Sequence, residues 1–298
     1  MTRLRGSFPA AAVVTLFLLG ACAQTTGAGA AAEASGSPVP PAIPGDSDTL
    51  VLRVAYTGGF VGPDALAGRM PETSVYADGR VIFNGPVPAS YPGPAVPNVQ
   101  LITVSPDTLR ELVDGAVAAG VREGTDFGQP GVADAPSTEV SVLLADGRRQ
   151  AVAAEALAEA QADDPMLTAP QKQARKELLG FIDKLDRLTT QPTSGTPQPY
   201  KAETLAAIVT PWVDPGDDLP GKPKAIAWPG PALPGESLSP TVKINCVAAT
   251  GAEAKAVLDA AAEATAITPW TSGGKTYSVR LRPLLPEETG CADLKAVR

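Results

Sequence analysis

Residues 49–60 read Thr-Leu-Val-Leu-Arg-Val-Ala-Tyr-Thr-Gly-Gly-Phe, and this stretch sets the fold that we expect for the first part of the folded chain. Its first eight residues are rich in β-branched and aromatic side chains, which favour a strand. The strand is expected to end at Gly58 and Gly59, because consecutive glycines interrupt regular structure. Phe60, a large apolar residue, follows these glycines directly.

Two similar hairpins are predicted from a repeated tetrapeptide. The sequence Ala-Asp-Gly-Arg occurs at 77–80 and again at 145–148, each time between β-rich runs. Its Asp-Gly dipeptide favours a tight two-residue turn between antiparallel strands. We therefore expect a hairpin at each place.

Two helices are predicted from their capping residues. Ser105 precedes Pro106, and this pair is typical of a helix start. Thr168 and Gln171 have the spacing of a capping box, which predicts a helix that ends near residue 188. Strands, helix, hairpin and helix in this order indicate an α+β domain over 49–188, with a largely antiparallel sheet and helices packed on one face.

The rest of the chain predicts a second, smaller domain of the same class. Residues 189–199 are rich in Pro, Thr, Ser and Gly and are expected to form a linker. Residues 200–298 then alternate β-rich runs with one helix, which Thr250 and Glu253 are predicted to cap. The residues of that helix predicted to face inward are Val257, Leu258 and Ala261.

The N-terminus has the layout of an export signal. Arg3 and Arg5 precede an apolar run over 8–20, which as a helix would be roughly 20 Å long. That length is well below the ~30 Å hydrocarbon core of a bilayer, so a signal peptide over 1–21 is the better interpretation. The run ends in Leu19-Gly20-Ala21-Cys22.

Leu19-Gly20-Ala21-Cys22 resembles the lipobox of bacterial lipoproteins, and the whole chain resembles actinobacterial lipoproteins of undetermined activity. The resemblance implies that Cys22 carries acyl chains such as palmitate and becomes the first mature residue. It also implies a lipid-anchored protein on the extracytoplasmic face of the cell membrane. An ordinary secretory signal with a chance cysteine is the alternative. Residues 22–48, mostly Ala, Gly, Thr, Ser and Pro, predict a flexible tether.

The composition argues against several kinds of chemistry. The 298 residues contain no His, so histidine-based nucleophiles, general bases and metal ligands are absent. Removal of Arg3 and Arg5 with the signal peptide lowers the 24 Lys and Arg to 22, against 32 Asp and Glu. This acidic balance disfavours nucleic acid as a partner. We predict a protein that is not an enzyme and that needs no cofactor or metal.

Two strings that resemble enzyme motifs have simpler interpretations. Ser272-Gly-Gly-Lys275 matches a Ser-x-x-Lys string, and Gly274-Lys275-Thr276 matches the end of a phosphate-binding loop. Neither has its companion elements, and both are expected to lie in a turn that enters a strand. A carboxylate-based envelope enzyme is kept as a third hypothesis. The ~5–9 Å separation between two catalytic carboxyl groups depends on the folded structure and not on their spacing in the sequence.

Cys246 and Cys291 are expected to form a disulfide. If Cys22 carries lipid, these are the two cysteines that remain, and an exported chain lies in a compartment that permits disulfides. Two buried free thiols are the alternative.

Five aromatic residues are candidate binding groups. Phe60 follows two permissive glycines, and Tyr91 lies in the proline-rich segment 85–97, whose extended backbone lowers the entropy lost on binding. The alternative is that both side chains cover the edge of the sheet. The other three candidates, each beside a proline, are Trp212, Trp228 and Trp270. They form either an aromatic ligand platform or, as we expect, part of the core.

The start of the first domain, with its Gly-Gly-Phe60 sequence followed by a helix, an Asp-Gly hairpin and a closing helix, resembles the emfourins. These are small proteinaceous inhibitors of thermolysin-type metallopeptidases. The resemblance covers roughly 49–188, and this chain departs from it in the insertion 61–104 and in the second domain. It implies a membrane-tethered peptidase inhibitor that acts through loops near Phe60 and Tyr91. Our leading hypothesis is a non-catalytic binding protein whose partner is an envelope protein or a wall component.

The lipid anchor predicts a simple localisation experiment. Wild-type protein is expected in the membrane fraction, whereas Cys22→Ala removes the thiol that accepts the lipid and is expected to change that distribution. Comparison of membrane and medium fractions by immunoblot measures the effect. Identical distributions for the two proteins would contradict the lipoprotein interpretation.

Overall fold

The structure is a computed structural model that describes residues 43–191, 195–214, 223–239 and 241–296, all within one compact unit. The predicted α+β class is confirmed, with two largely antiparallel sheets and a few helices. The predicted signal peptide, Cys22 and most of the predicted tether lie outside the described residues. Independent folding of 49–188 and 200–298 stays a prediction.

The first sheet has seven antiparallel strands in the order β6-β5-β1-β2-β3-β4-β7. Their bounds are β1 Leu50–Gly58, β2 Thr73–Tyr76, β3 Arg80–Asn84, β4 Val99–Thr103, β5 Pro136–Leu143, β6 Arg149–Glu155 and β7 Gln198–Pro199. The predicted first strand is β1, an inner strand between β5 and β2. The last strand, β7, lies in the predicted linker and pairs with β4, which ties that segment to the first sheet.

The two predicted hairpins are present, but their turns differ from the prediction. Strands β2 and β3 pair, as do β5 and β6. In the second turn the Leu144 amide bonds to the Arg148 carbonyl at 2.9 Å, so the loop between them has three residues. Gly147 is left-handed, with a φ of 81°, as a type I turn followed by a bulge requires. The expected two-residue turn is therefore wrong, although the Asp-Gly signal located both hairpins.

Helices α2 Pro106–Ala118 and α3 Ala169–Thr190 pack on one face of the first sheet, where they bury Leu112 and Phe181 in its core. The predicted caps are confirmed. The Ser105 hydroxyl accepts a hydrogen bond from the backbone at 3.1 Å, and Thr168 forms a complete capping box with its partner at the third helical position.

The second sheet has six strands in the order β10-β11-β8-β13-β12-β9, and only the pair β9–β12 is parallel. Their bounds are β8 Thr204–Pro211, β9 Ile226–Ala227, β10 Glu236–Ser237, β11 Asn245–Thr250, β12 Pro269–Ser272 and β13 Lys275–Pro283. Helix α4 Gly251–Ala261 packs on one face through Ala254, Val257 and Ala261. Leu258 is 40% exposed, so its predicted inward position is wrong, and the Thr250 hydroxyl does not cap this helix.

The opposite face of the second sheet is also covered, whereas the sequence predicted helices on one face. Helix α1 Pro63–Gly68 leaves the first sheet and places Ala67 against Ile208. A 3-10 helix, Cys291–Ala296, packs in the same cluster. The predicted disulfide between Cys246 and Cys291 is confirmed, with a Cα–Cα distance of 5.8 Å, and it attaches this C-terminal helix to β11.

A buried ion pair fixes the turn that follows β13. Arg282 is 4% exposed and donates two hydrogen bonds to Glu288, at 2.6 and 2.7 Å. Glu288 also accepts the Leu285 amide at 2.8 Å, so its two oxygens hold both the strand and the turn. This bidentate geometry is the strongest form of a carboxylate–guanidinium contact.

The neighbouring glutamate connects the same turn to the first sheet. Glu287 forms an ion pair with Arg53 on β1 and accepts a hydrogen bond from the Tyr76 hydroxyl on β2 at 2.7 Å. Burial raises the pKa of Tyr76, so the phenol keeps the proton that it donates. Glu287 and Glu288 therefore join the two sheets through one short turn.

Loss of the disulfide is expected to destabilise the protein by about 2–4 kcal/mol, because the bond closes a loop with a sequence separation of 45. The measurement is urea unfolding of the wild type with and without reductant. A Cys246→Ala/Cys291→Ala variant serves as the control and should show no reductant dependence. If the unfolding midpoint of the wild type is the same with and without reductant, the prediction is wrong.

Glu288→Ala is expected to cost about 3–5 kcal/mol, since it leaves the buried Arg282 guanidinium without its counter-charge. Urea unfolding measures the loss. Replacing both partners in Arg282→Met/Glu288→Leu should cost much less, because no charge then stays buried. Lys255→Gln, which removes an exposed ion pair, is the control and should leave the midpoint unchanged. Equal losses for the single and double variants would contradict this account.

Candidate functional site

A cavity of about 170 Å³ opens where segments inserted in the first sheet lie on the second sheet. Strands β8 and β13 form its floor, helix α1 forms one wall, and the end of the segment 85–97 forms another. The lining residues that matter for its chemistry are Asp64, Gly68, Pro94, Thr210, Ser278 and Arg280. The floor is thus polar at Thr210 and Ser278, which are cross-strand partners.

An ion pair lies in this cavity. Nη2 of Arg280 on β13 is 3.2 Å from Oδ2 of Asp64 on α1, and both side chains are part-exposed. The aliphatic stem of Arg280 runs so close to Gly68 that a Cβ there would overlap Arg280 Cδ. Glycine at the end of α1 therefore leaves room for the stem to cross the helix and reach Asp64.

Phe60 is exposed on a turn whose backbone is held in place. Its side chain is 88% exposed, and Gly58 and Gly59 before it have φ values of 64° and 83°. The Phe60 amide donates to the Asp134 carbonyl at 3.1 Å. Arg69, directly after α1, donates to the Gly58 carbonyl at 3.0 Å. The turn is therefore fixed from two sides while the aromatic ring faces solvent.

Tyr91 is exposed on the second inserted segment. Its side chain is 69% exposed, although the segment itself is well anchored. The Gly93 carbonyl accepts the Ala266 amide at 2.9 Å, and Ala95 and Val96 pack against the core of the second sheet. The alternative that Phe60 and Tyr91 cover a sheet edge does not fit these exposures.

Three large exposed apolar residues lie close in sequence to the cavity lining, and we name them the apolar rim: Phe60, Tyr91 and Val213. Phe60 comes four residues before Asp64, Tyr91 comes three before Pro94, and Val213 comes three after Thr210. Four residues span at most ~14 Å, so every rim residue lies within that distance of the lining.

Phe60 lies at the end of β1 opposite to the point where the described chain enters the strand. Thr49 directly precedes Leu50, whereas Phe60 is separated from Gly58 by Gly59. The eight residue steps of this strand cover roughly 26 Å. Phe60 is therefore remote from the point where residue 49 enters the fold.

The tryptophans do not form an exposed platform. Trp270 is 1% exposed and Trp228 is 9% exposed, and their rings meet edge to face at a centroid distance of 5.4 Å. The Trp228 indole donates to the Pro231 carbonyl at 2.7 Å. Trp212, at the end of β8, is half-buried. Trp228 and Trp270 therefore belong to the core of the second sheet.

The motif-like strings fall in a hairpin turn. Gly273 and Gly274 join β12 to β13 and both have positive φ, at 56° and 74°, as a two-residue turn demands. Ser272 and Lys275 are the strand residues that flank this turn. The geometry is that of a β-turn, so neither a helix-borne nucleophile nor a phosphate-binding loop is formed here.

Two acidic groups relevant to the third hypothesis are Glu72, directly before β2, and Asp186 on helix α3. Burial raises the pKa of Glu72, and a hydrogen bond from Asn84 lowers it by a smaller amount. Burial also raises the pKa of Asp186. The groove of about 590 Å³ beside Asn84 is lined by amide, hydroxyl and apolar groups. Among the described residues, no group of three acids or cysteines is arranged to hold a metal, and no helix is long and apolar enough to cross a membrane.

Comparison with protein-family models, curated proteins and solved structures gave no match to this chain. The site therefore has to be interpreted from its own residues. Sequence reasoning found Phe60 and Tyr91 but missed Asp64 and Arg280, which are 216 residues apart. The one local signal for α1 was Pro63 at its first position, and a helix of six residues is too short for a periodic pattern.

Proposed function

We propose that the protein is a lipid-anchored, extracytoplasmic envelope protein that binds another envelope protein through the apolar rim, without catalysis. The observation that carries the proposal is the 88% exposure of Phe60 on a turn that hydrogen bonds hold in place. The lipid anchor comes from the lipobox at Leu19–Cys22. The disulfide adds support, because such bonds persist in exported proteins.

The rim has the energetic features of a binding surface. Full burial of a Phe side chain stabilises a complex by roughly 1.5–3 kcal/mol, and aromatic residues dominate the energy of many interfaces. Because the turn at Phe60 is already ordered, little conformational entropy is lost when a partner covers it. Its position at the end of β1 remote from Leu50 leaves it accessible when the tether is anchored.

A peptidase inhibitor is the second candidate. The segment that presents Phe60 is the one that resembles the emfourins, and inhibitors typically bind with little backbone movement. This rigidity comes from the hydrogen bond that Arg69 donates to the Gly58 carbonyl and from the one that the Phe60 amide donates to the Asp134 carbonyl. In this version the envelope partner is a metallopeptidase.

Loss of the rim is expected to reduce partner capture by about tenfold or more. The full chain in detergent is used to capture partners from envelope extract, and recovery is compared for wild type and Phe60→Ser/Tyr91→Ser. Met166→Ser, which changes an exposed apolar residue that does not belong to the rim, is the matched control. All three proteins should unfold at the same temperature, since the substituted side chains are exposed.

Equal recovery by wild type and the rim variant would contradict the proposal. Inhibition is tested separately by adding the same proteins to thermolysin and measuring its rate. Inhibition by wild type and by Met166→Ser, but not by the rim variant, would identify the partner class as a peptidase. Unchanged thermolysin activity with all three proteins would remove the support for that candidate.

A further inference from the structure

We infer that Arg280 binds a carboxylate side chain of the protein partner, so that the apolar rim recognises an acidic segment. This inference rests on the proposed function and names the chemistry of its ligand. It is carried by a guanidinium whose stem crosses α1 at Gly68, which lines an open cavity and which donates one long hydrogen bond, to Asp64.

The guanidinium has hydrogen-bonding capacity left over. Among the described residues, its hydrogen bond is the one from Nη2 to Asp64 at 3.2 Å. Arginine carries five N–H donors in a planar fork that matches the two oxygens of a carboxylate. One long contact to one oxygen uses little of this fork. The two edges of the fork, Nε with Nη2 and Nη1 with Nη2, share Nη2, which carries two hydrogens. A second carboxylate is therefore able to bind at the edge that Asp64 leaves open, or to displace Asp64.

The surroundings of Arg280 fit such a ligand. The hydroxyls of Thr210 and Ser278 line the same cavity and can donate to a bound oxygen. At ~30 Å³ for each water, a cavity of about 170 Å³ has room for a carboxyl group and a few methylenes. Phe60 and Tyr91 then contact apolar residues that flank the acid in the partner.

The charge around the cavity selects among anions. The guanidinium of Arg280 carries one positive charge, which the neighbouring Asp64 carboxylate partly neutralises. The chain as a whole carries a formal net charge of −8. This field disfavours phosphate and other multivalent anions. Asp64 already brings a side-chain carboxylate to Arg280 from a chain segment that passes the cavity. A partner segment that carries Asp or Glu makes the same contact.

Two substitutions are expected to act in opposite directions. Asp64→Asn removes the internal competitor and should tighten binding of an external carboxylate by roughly threefold. Arg280→Gln removes the charged donor and should weaken partner capture by about tenfold. A merely structural role of this ion pair predicts that both substitutions weaken binding.

The direct experiment is an NMR titration of the full chain in detergent with ¹⁵N-labelled arginine. The probe is N-acetylglutamate N-methylamide, and N-acetylglutamine N-methylamide is the uncharged match. We expect a saturable shift of Arg280 Nε with the glutamate probe alone, and a lower midpoint in Asp64→Asn. Arg148, which lies in an exposed hairpin turn, is the internal control.

A shift at Arg280 no larger than that at Arg148, or an equal response to the two probes, would overturn the inference. A site that responds equally to inorganic phosphate would also overturn it, since that result indicates unselective anion binding. If Arg280→Gln captures the partner as well as wild type does, the inference fails while the proposed function stands. If the rim variant captures normally but Arg280 titrates as expected, the proposed function fails and the carboxylate site stands.

Discussion

The buried pair between Arg282 and Glu288 is the interaction on which the arrangement of the two sheets depends. Removing two charges from water costs several kcal/mol for each ion, and only near-complete hydrogen bonding offsets that cost. Glu288 accepts from Arg282 through both oxygens and also from the Leu285 amide, which leaves Nε of Arg282 as the one nitrogen of that guanidinium buried without a partner among the described residues. The turn after β13 therefore has one low-energy position, and Glu287 in that turn reaches Arg53 on the first sheet.

The candidate site follows from this arrangement, because neither sheet forms the cavity alone. Strands β8 and β13 supply the floor, whereas α1 and the segment 85–97 are insertions between strands of the first sheet. These insertions pack on the second sheet through Ala67 and Ala95, and the turn at 284–289 joins the same sheet to the first. The ion pair Asp64–Arg280 thus joins residues from both halves of the chain. A change that loosened the turn would separate the cavity walls while leaving each sheet intact.

Local signals in the sequence were sufficient for the two hairpins and for α2 and α3, but not for the short helix α1 or for the assembly of the elements. The hairpins and the caps at Ser105 and Thr168 depend on contacts within a few residues, and the structure contains them. Leu258 was misplaced because the inward face of α4 is set by which small residues approach β8 and β11. Tertiary packing determines that Phe60 and Tyr91 are exposed. It also determines that Asp64 lies next to Arg280, and no spacing in the sequence indicates either result.

An acidic protein that binds an acidic segment must gain its affinity at short range. At a formal net charge of −8, the long-range field repels such a ligand and slows its approach. The guanidinium fork and a hydrophobic surface act only on contact, where screening by salt is weak and burial of an aromatic ring contributes fully. Selectivity then comes from geometry: a partner must present a carboxylate to Arg280 and an apolar side chain to Phe60 at the same time. That double requirement distinguishes a specific partner from the many acidic surfaces that such a protein meets.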